Sequence, residues 1–291
     1  MRIWLMAVRL RTLPAAIAPV LVGTALAHAL DDVFRPGAFI AAMLGSILIQ
    51  IGTNLSNDYS DARRGADAED RVGPVRVTAG GLVPPKQVLM ATYITFALAA
   101  LCGVYLVAVA GVELLIVGVL SIAAGVLYTG GPRPYGYEGL GEIFVFLFFG
   151  VAAVAGSTFA QTESWPVEAF VLAVPVGLLA AAILVVNNVR DIDSDKRAGK
   201  RTLAVRLGRD GGRTLYGAMT YVAYLVAPLP WLLGPLSPWL LLSWLTLPLA
   251  VKLVRTVRRH ADGPTLNEAL AQTGLLQLAF CLLLSAGILA S

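Results

Sequence analysis

The sequence predicts an all-α membrane protein, a single domain over residues 1–291 built as one bundle of nine transmembrane helices. Of its 291 residues, 57% are hydrophobic and 14% are charged, and the mean hydropathy is +0.76. Apolar runs of roughly 17–25 residues, the length that crosses a bilayer, recur along the whole chain. The basic residues fall almost entirely in loops that would share one side of the membrane. These observations exclude a soluble globular domain.

Nine apolar runs define the predicted spans, and a different pattern precedes the first of them. In residues 1–11, basic residues alternate with apolar ones and no small-residue cleavage site follows. We therefore expect a short amphipathic helix on the cytoplasmic surface and not a cleaved signal. The runs at 112–128 and 212–229 are the weakest, because they are short or contain polar residues. The predicted spans are 13–30, 37–57, 87–109, 112–128, 140–160, 167–188, 212–229, 231–251 and 266–290.

The positions of Lys and Arg predict the orientation of the bundle. If the N-terminus is cytoplasmic, all 22 Lys and Arg residues except Arg35 lie on the cytoplasmic side, as the positive-inside rule requires. The C-terminus is then outside, and two long cytoplasmic cap loops cover about 58–86 and 189–211. The net charge of +4 follows from this orientation and implies no nucleic-acid partner. Cys102 and Cys281 fall inside spans and give no reason to expect a disulfide.

Each cap loop begins with the same polar pattern, an Asn four residues ahead of an Asp. Asn54 precedes Asp58, and Asn187 precedes Asp191, so each pair shares one helix face. Further acids follow within about one turn, where like charges repel and the helix C-terminus disfavours negative charge. Such an arrangement is unfavourable unless a cation lies between the clusters. The predicted catalytic residues are Asp58, Asp61, Asp191, Asp195, Asn54 and Asn187, and the predicted metal ligands are Asp58, Asp61, Asp191, Asp195, Asn54 and Asp67.

Basic residues follow the acids in both cap loops. Mg²⁺ typically binds through one or two carboxylates together with substrate phosphates, and Arg and Lys can neutralise the remaining phosphate oxygens. The two clusters therefore predict a Mg²⁺–diphosphate site shared between them. The predicted diphosphate-binding residues are Arg64, Arg76, Lys196, Lys200 and Arg201.

Other interpretations account for parts of this pattern. A single loop of acids and bases is usually a solvated surface, and Asn54 or Asn187 alone could form an interhelical hydrogen bond. A secondary transporter could use buried carboxylates to bind coupling ions, but such sites lie near the bilayer midplane on broken helices. These clusters instead lie at cytoplasmic span ends, which favours an enzyme. The spacing also suggests a divergent repeat of spans one to four in spans five to eight.

At these residues the chain resembles the UbiA superfamily of intramembrane aromatic prenyltransferases. Hallmarks of that superfamily are an Asn-Asp-x-x-Asp first motif and an Asp-x-x-x-Asp second motif on a nine-helix bundle. Asn57-Asp58-Tyr-Ser-Asp61 matches the first, and Asp191 with Asp195 matches the second. The fuller first motif often has another Asp where this chain has Gly65, and the next acid is Asp67.

Residues 73–82 and 128–142 resemble the 1,4-dihydroxy-2-naphthoate polyprenyltransferases of menaquinone synthesis. This resemblance covers nearly the whole chain. It implies Mg²⁺-dependent transfer of a polyprenyl group from polyprenyl diphosphate to 1,4-dihydroxy-2-naphthoate, with loss of CO₂ and diphosphate, to give demethylmenaquinol. It also implies a multi-pass protein of the cell (inner) membrane whose active site faces the cytoplasm. A 4-hydroxybenzoate, haem or chlorin acceptor is the alternative within the superfamily.

The loop near residue 133 contains the candidate residues for binding an aromatic acceptor. Aromatic faces stabilise cations, which favours Tyr128 and Tyr135, although Tyr also anchors helices at membrane interfaces. Arg133 is the only basic residue in its loop and could bind an acceptor carboxylate or the diphosphate. Glu142, early in the fifth span, is either structural or a proton acceptor, since ionisable residues inside membranes are commonly functional.

Overall fold

The computed structural model describes residues 2–65 and 76–291, apart from the side chain of Arg2. The described residues form helices and no β-strand, which confirms the all-α class. Residues 10–12, 135–138 and 238–246 form 3₁₀ helices, and residues 146–152 form a π-helical turn. The α-helices are α1 (Arg2–Val8), α2 (Pro14–Asp31), α3 (Pro36–Arg63), α4 (Pro85–Ala110), α5 (Glu113–Leu127), α6 (Gly141–Val145), α7 (Ala153–Thr162), α8 (Val167–Arg190), α9 (Ile192–Arg197), α10 (Leu203–Val226), α11 (Leu229–Leu232), α12 (Leu247–Arg259) and α13 (Gly263–Leu289).

Eight helical segments in the described part of the chain are long and apolar enough to cross a membrane. Together they overlap eight of the nine predicted spans. The remaining predicted span, 112–128, forms α5, an apolar helix of 15 residues. At about 1.5 Å per residue, α5 is roughly 22 Å long, shorter than the ~30 Å hydrocarbon core of a bilayer. The ninth span and the orientation of the termini stay predictions.

The second cap loop contains more helix than its polarity suggested. Helix α10 begins at Leu203, well before the predicted span at 212, and the Thr202 hydroxyl caps it by accepting a hydrogen bond from the Val205 amide. Gly208, with φ 74° and ψ 171°, has a non-helical conformation and forms a kink in α10. Short α9 precedes it. Hydropathy did not predict these helical turns, because they contain charged residues and hydropathy indicates burial in lipid, not helix formation.

The N-terminal segment contains a helix, α1, followed by a 3₁₀ turn. Ile3, Trp4, Leu5 and Met6 are all exposed, as a helix lying on a membrane surface would require. Its location at the membrane stays a prediction. Arg9, with φ 55°, turns the chain between α1 and the 3₁₀ helix.

Helix α8 lies at the centre of the bundle, packed against α2, α7, α10 and α13. Leu172, Val176 and Leu179 on α8 are fully buried. Helices α10 and α13 meet through Tyr224 and Phe280, whose rings are edge-to-face at 5.1 Å between centroids. Helices α4 and α5 instead expose many large apolar side chains. That exposure fits a lipid-facing side of the bundle, since lipid and not water would surround it.

The π-helical turn at residues 146–152 lies against α8 at a contact between two glycines. A Cβ at Gly150 would lie 2.7 Å from the Cα of Gly177, and one at Gly177 would lie 2.8 Å from the Phe146 carbonyl oxygen. Small residues allow membrane helices to pack backbone against backbone. Because a π turn adds a residue to the helical cycle, it changes which side chains beyond it face inward.

We expect Gly177→Ala to destabilise the protein, because the added methyl group has no space against Phe146. Overpacking of this kind costs about 1–3 kcal/mol, which thermal unfolding in detergent would detect as a lower midpoint. Gly103→Ala is the matched control, since a Cβ at this helical position meets no atom within 4 Å. Equal midpoints for the two variants would contradict the proposed contact.

Candidate functional site

A cavity of about 810 Å³ lies inside the bundle, and both Asn/Asp clusters border it. Its apolar walls come from α3, α4, α5 and the segment 144–157. Most of its polar lining lies at the ends of α3 and α8 and in the loops that follow them, and Tyr137 comes from the 128–140 loop. The polar lining includes Asn54, Asn57, Asp61, Arg76, Tyr137, Asn187, Asn188, Arg190, Asp191, Asp195 and Lys200. The structure therefore brings residues of the two predicted clusters to one site.

Asp61 connects three segments at this polar end. Its Oδ1 accepts a hydrogen bond from the Tyr137 hydroxyl at 2.7 Å, and its Oδ2 lies 3.3 Å from Nη2 of Arg76 and 3.5 Å from Nζ of Lys200. The Asp61 side chain is only 2% exposed. Nζ of Lys200 also lies 4.7 Å from the centre of the Tyr137 ring, a cation–π contact. Both cap loops and the 128–140 loop thus meet at one carboxylate.

Asp58 has a different environment from Asp61, although both belong to the same motif. Its two oxygens accept hydrogen bonds from the backbone amides of Val77 at 3.1 Å and Thr78 at 2.9 Å. Asp58 is buried but does not line the cavity. Its carboxylate therefore fastens the end of the first cap loop to α3. Its predicted role as a metal ligand stays a prediction.

Asn54 and Asn57 both border the cavity but differ in their hydrogen-bond partners. Asn54 donates hydrogen bonds to the Val8 carbonyl at 2.9 Å and the Thr12 hydroxyl at 3.0 Å, so it ties the N-terminal segment to α3. Asn57 borders the cavity one turn before Asp61, and its Oδ1 accepts a hydrogen bond from Thr129 at 2.9 Å. Asn57 is therefore a further candidate oxygen donor, which the sequence analysis did not select. The i, i+4 spacing from Asp61 was the available signal.

The second cluster surrounds Arg190, a residue that the sequence analysis missed. Its Nε and Nη2 donate to the two oxygens of Asp191 at 2.8 and 2.5 Å. Nη2 also lies 2.9 Å from Oδ1 of Asn187, and Nη1 lies 2.6 Å from Oδ1 of Asn267 on α13. The Arg190 side chain is 2% exposed. The i, i+3 spacing from Asn187 could have indicated the contact between these two residues.

Asp195 lies on short α9, which begins directly after Asp191. The Asp195 amide donates to the Asp191 carbonyl at 2.8 Å, and the Asp195 carbonyl accepts from the Lys200 amide at 2.9 Å. The Arg201 amide donates to the Tyr137 carbonyl at 2.8 Å, which joins this loop to the 128–140 loop. The turn therefore brings Asp195 and Lys200 to the cavity.

The predicted diphosphate-binding residues separate into two groups. Arg76 and Lys200 border the cavity, which is where a residue that binds the diphosphate has to lie. Arg64, Lys196 and Arg201 do not border it. Arg64 instead donates a hydrogen bond to the Gly131 carbonyl and lies beside the Tyr137 ring. The helical turn at 192–197 directs Lys196 outward. Direct diphosphate binding by these three residues stays a prediction.

The aromatic residues of the 128–140 loop form part of the cavity wall. Tyr135 stacks on Phe144 at 3.9 Å between ring centres and donates its hydroxyl to the Ala124 carbonyl at 2.8 Å. Tyr128 also borders the cavity, and its ring lies edge-to-face against that of Tyr135 at 5.4 Å between centroids. Arg133 is exposed and does not line the cavity; its predicted acceptor-binding role stays a prediction.

Glu142 lies behind the cavity wall. Its Oε1 accepts a hydrogen bond from Nδ2 of Asn188 at 2.9 Å, and Oε2 has no hydrogen-bond partner. Asn188 borders the cavity, whereas the fully buried Glu142 does not. Asn188 therefore links Glu142 to the cavity. Both roles considered for it, structural and proton-accepting, remain open.

The oxygens at the polar end fit a hard divalent cation bound together with a phosphate group. Within residues 2–65 and 76–291, no three carboxylate, imidazole or thiol groups converge closely enough to hold a metal ion alone. Mg²⁺ ordinarily binds through one or two carboxylates and completes its shell with phosphate oxygens and water. Asn57 with Asp61, and Asn187 with Asp191, offer such partial sets. Asp67, a predicted ligand, lies outside the described residues.

The comparisons with known proteins identify relatives over nearly the full length of the chain. The model of the UbiA prenyltransferase family matches residues 16–289. The 1,4-dihydroxy-2-naphthoate octaprenyltransferase of Mycobacterium tuberculosis is 42% identical, with 96% of this chain and 94% of that protein covered. The Escherichia coli protein of the same name is 41% identical, with 93% and 89% covered.

Two solved structures share the fold at low sequence identity. A UbiA homologue from Aeropyrum pernix K1 has a TM-score of 0.73 at 17% identity, with 96% of this chain and 97% of that one covered. A UbiA homologue from Archaeoglobus fulgidus bound to DMAPP and Mg²⁺ has a TM-score of 0.71 at 14% identity, with 99% of each chain covered. The helical arrangement is therefore that of these proteins.

We expect Asp58→Asn to loosen the end of the first cap loop. An amide offers one acceptor oxygen in place of two and adds N–H groups that would face the Val77 and Thr78 amides, a loss worth about 1–3 kcal/mol. Hydrogen–deuterium exchange should rise over residues 76–80. Asp193→Asn is the control, because Asp193 is largely exposed and pairs with Arg209. Unchanged exchange at Val77 and Thr78 would contradict the assignment.

Proposed function

Since the chain belongs to the UbiA prenyltransferase family and is a prenyltransferase, we propose that it transfers a polyprenyl group from polyprenyl diphosphate to 1,4-dihydroxy-2-naphthoate. One observation carries the proposal: a single cavity is lined by both Asn/Asp clusters at one end and by apolar side chains elsewhere. A prenyl diphosphate has the same division between a charged head and an apolar chain. The names of the bacterial relatives support the naphthoate acceptor.

At the polar end, the diphosphate would lie among Asn57, Asp61, Asn187, Asp191 and Asp195. Mg²⁺ bound there would stabilise the negative charge that develops on the leaving diphosphate. Lys200 and Arg76 already border the cavity beside Asp61. Their charges would bind the remaining phosphate oxygens, and such preorganised groups often make the largest contribution to catalysis. The Mg²⁺-bound relative from Archaeoglobus supports this choice of metal.

The apolar part of the cavity would hold the prenyl chain and exclude water. Gly103 and Gly118 border it, and a Cβ at either position would meet no atom within 4 Å. The stacked rings of Tyr135 and Phe144 form the wall nearest the 128–140 loop. Aromatic faces stabilise positive charge, so this wall suits an allylic cation that must be kept from water. We place the aromatic acceptor beside Tyr128 and Tyr135.

The proposed reaction breaks one C–O bond and one C–C bond and forms one C–C bond. The prenyl C–O bond breaks with its electron pair passing to the diphosphate. The naphthoate ring carbon that bears the carboxylate then forms a bond to the prenyl carbon. Loss of that carboxylate as CO₂ returns its bonding electrons to the ring and restores aromaticity. The products are demethylmenaquinol, diphosphate and CO₂, without an oxidant or a reductant.

The location that we propose follows from hydropathy and loop charge. Eight apolar helices in the described part of the chain support a multi-pass membrane protein, and the clustered Lys and Arg residues favour a cytoplasmic position for the polar end. The protein would then lie in the cell (inner) membrane, take its prenyl donor from the bilayer and accept naphthoate from the cytoplasm.

The purified protein in detergent, given Mg²⁺, a labelled polyprenyl diphosphate and a panel of aromatic acceptors, should release diphosphate with 1,4-dihydroxy-2-naphthoate. Carboxyl-labelled naphthoate should yield CO₂ in an amount equal to that of diphosphate, because each transfer removes one carboxylate. Preference for 4-hydroxybenzoate would overturn the acceptor, and failure to release diphosphate with any acceptor would overturn the function.

We expect Asp61→Asn and Asp191→Asn each to lower turnover by at least about 100-fold, the scale seen when one preorganised charged group is lost from a catalytic site. Asp193→Asn removes an equal charge from the same region, but Asp193 is 70% exposed at its side chain and does not border the cavity. Turnover of Asp193→Asn should remain near that of the unmodified protein. Near-normal turnover of Asp61→Asn or Asp191→Asn would contradict the site.

A further inference from the structure

We propose that Arg190 is an internal counter-ion that a divalent metal must displace from Asp191 and Asn187, and that its displaced guanidinium then binds the diphosphate. This inference rests on the proposed function, because it assumes that a metal and a diphosphate meet at the polar end of the cavity. It assigns a role to Arg190, which occupies an unspecified position between Asn187 and Asp191 of the second pattern, and gives it two successive partners.

The contacts of Arg190 occupy the oxygens that a metal would need. Nε and Nη2 hold both carboxylate oxygens of Asp191, at 2.8 and 2.5 Å, and Nη2 also holds Oδ1 of Asn187 at 2.9 Å. A bidentate guanidinium–carboxylate pair is short and strong. A metal that binds Asp191 and Asn187 therefore has to replace these hydrogen bonds.

The location of Asp191 explains why such a counter-ion is needed. Asp191 is buried at the C-terminal end of α8, where the helix dipole disfavours negative charge. A buried charge without a partner costs several kcal/mol. Arg190 supplies a positive charge from the adjacent residue and so compensates the buried carboxylate.

The first cluster neutralises its acid in a looser way. Asp61 has cations 3.3 and 3.5 Å away, from Arg76 and Lys200, and neither binds it bidentately. The carboxylate of Asp61 is thus held by longer ion pairs than that of Asp191, which is bound by a tight bidentate pair. A metal would therefore bind at Asp61 more readily than at Asp191, where it has to displace the guanidinium of Arg190.

Arg190 can move to a phosphate without leaving the site. It borders the cavity, and Oδ1 of Asn267 holds its Nη1 at 2.6 Å. Asn267 is on α13, so this contact does not depend on the acids. The planar guanidinium can bind two phosphate oxygens at once. A rotation about its side-chain bonds would exchange carboxylate partners for phosphate partners.

A purely structural role for Arg190 predicts an opposite effect on metal binding. If Arg190 only fixes Asp191 and Asn187 in place, its loss disorders the ligands and weakens metal binding. If Arg190 competes with the metal, its loss tightens metal binding in the absence of diphosphate and weakens diphosphate binding. The sign of the change in metal affinity therefore separates the two roles.

The test is a titration of the full-length protein in detergent with Mn²⁺ alone, followed by electron paramagnetic resonance. We expect Arg190→Gln to bind Mn²⁺ about 5-fold or more tightly than the unmodified protein, the lower end of typical coupling between competing ligands. Arg209→Gln is the control, because Arg209 carries an equal charge beside the same helix end and donates to the Val189 carbonyl. Arg190→Lys keeps the charge without the bidentate geometry. Its affinity for Mn²⁺ should lie between that of Arg190→Gln and that of the unmodified protein.

A second titration uses an unreactive prenyl thiolodiphosphate at saturating Mn²⁺, where Arg190→Gln should bind about 10-fold more weakly. Mn²⁺ affinity that falls in both Arg190 variants would overturn the counter-ion role and leave the proposed function intact. If Arg190→Gln does not fold, Arg190→Lys serves as the test. Equal Mn²⁺ affinity in Arg190→Lys and the unmodified protein would then overturn the counter-ion role. Mn²⁺ binding that is unaffected by Asp61→Asn and Asp191→Asn together would instead refute the metal site on which the proposed function depends.

Discussion

The structure depends on the neutralisation of carboxylates that are buried at the ends of two membrane helices. Water cannot solvate these acids fully, and the helix dipoles oppose their charge. Asp61 is therefore surrounded by Arg76, Lys200 and the Tyr137 hydroxyl, and Asp191 by Arg190. The partners of Asp61 come from three different loops, so its neutralisation also determines how these loops fold over the bundle.

This charged end would be of little use without the apolar cavity beneath it. The close packing at Gly150 and Gly177 and the π-helical turn at 146–152 direct Phe148 and Phe149 toward the cavity. A molecule with an ionic head and a hydrocarbon tail can thus place each part in a matching environment. The same separation keeps the reacting carbon close to the acids and away from bulk water.

Hydropathy and loop charge were sufficient to predict the helical class and the approximate bounds of the membrane helices. They could not reveal the helical turns in the second cap loop, because charged residues mask helices that lie outside lipid. Periodicity also left one choice open in the first motif. Asn54 with Asp58 and Asn57 with Asp61 have the same i, i+4 spacing on neighbouring faces. Packing places Asp61 at the cavity and Asp58 against the Val77 and Thr78 amides, and packing is absent from a single sequence.

The central claim is that the two Asn/Asp clusters form one site for a metal-bound diphosphate. A double-mutant cycle on Asp61→Asn and Asp191→Asn tests it most directly, with the affinity for an unreactive prenyl thiolodiphosphate measured in Mg²⁺. Mutations at independent sites add within about 0.3–0.5 kcal/mol, whereas residues that share a ligand show interaction energies of about 0.5–3 kcal/mol. The account predicts an interaction energy in the second range. Strict additivity would show that the clusters act separately and would contradict the account.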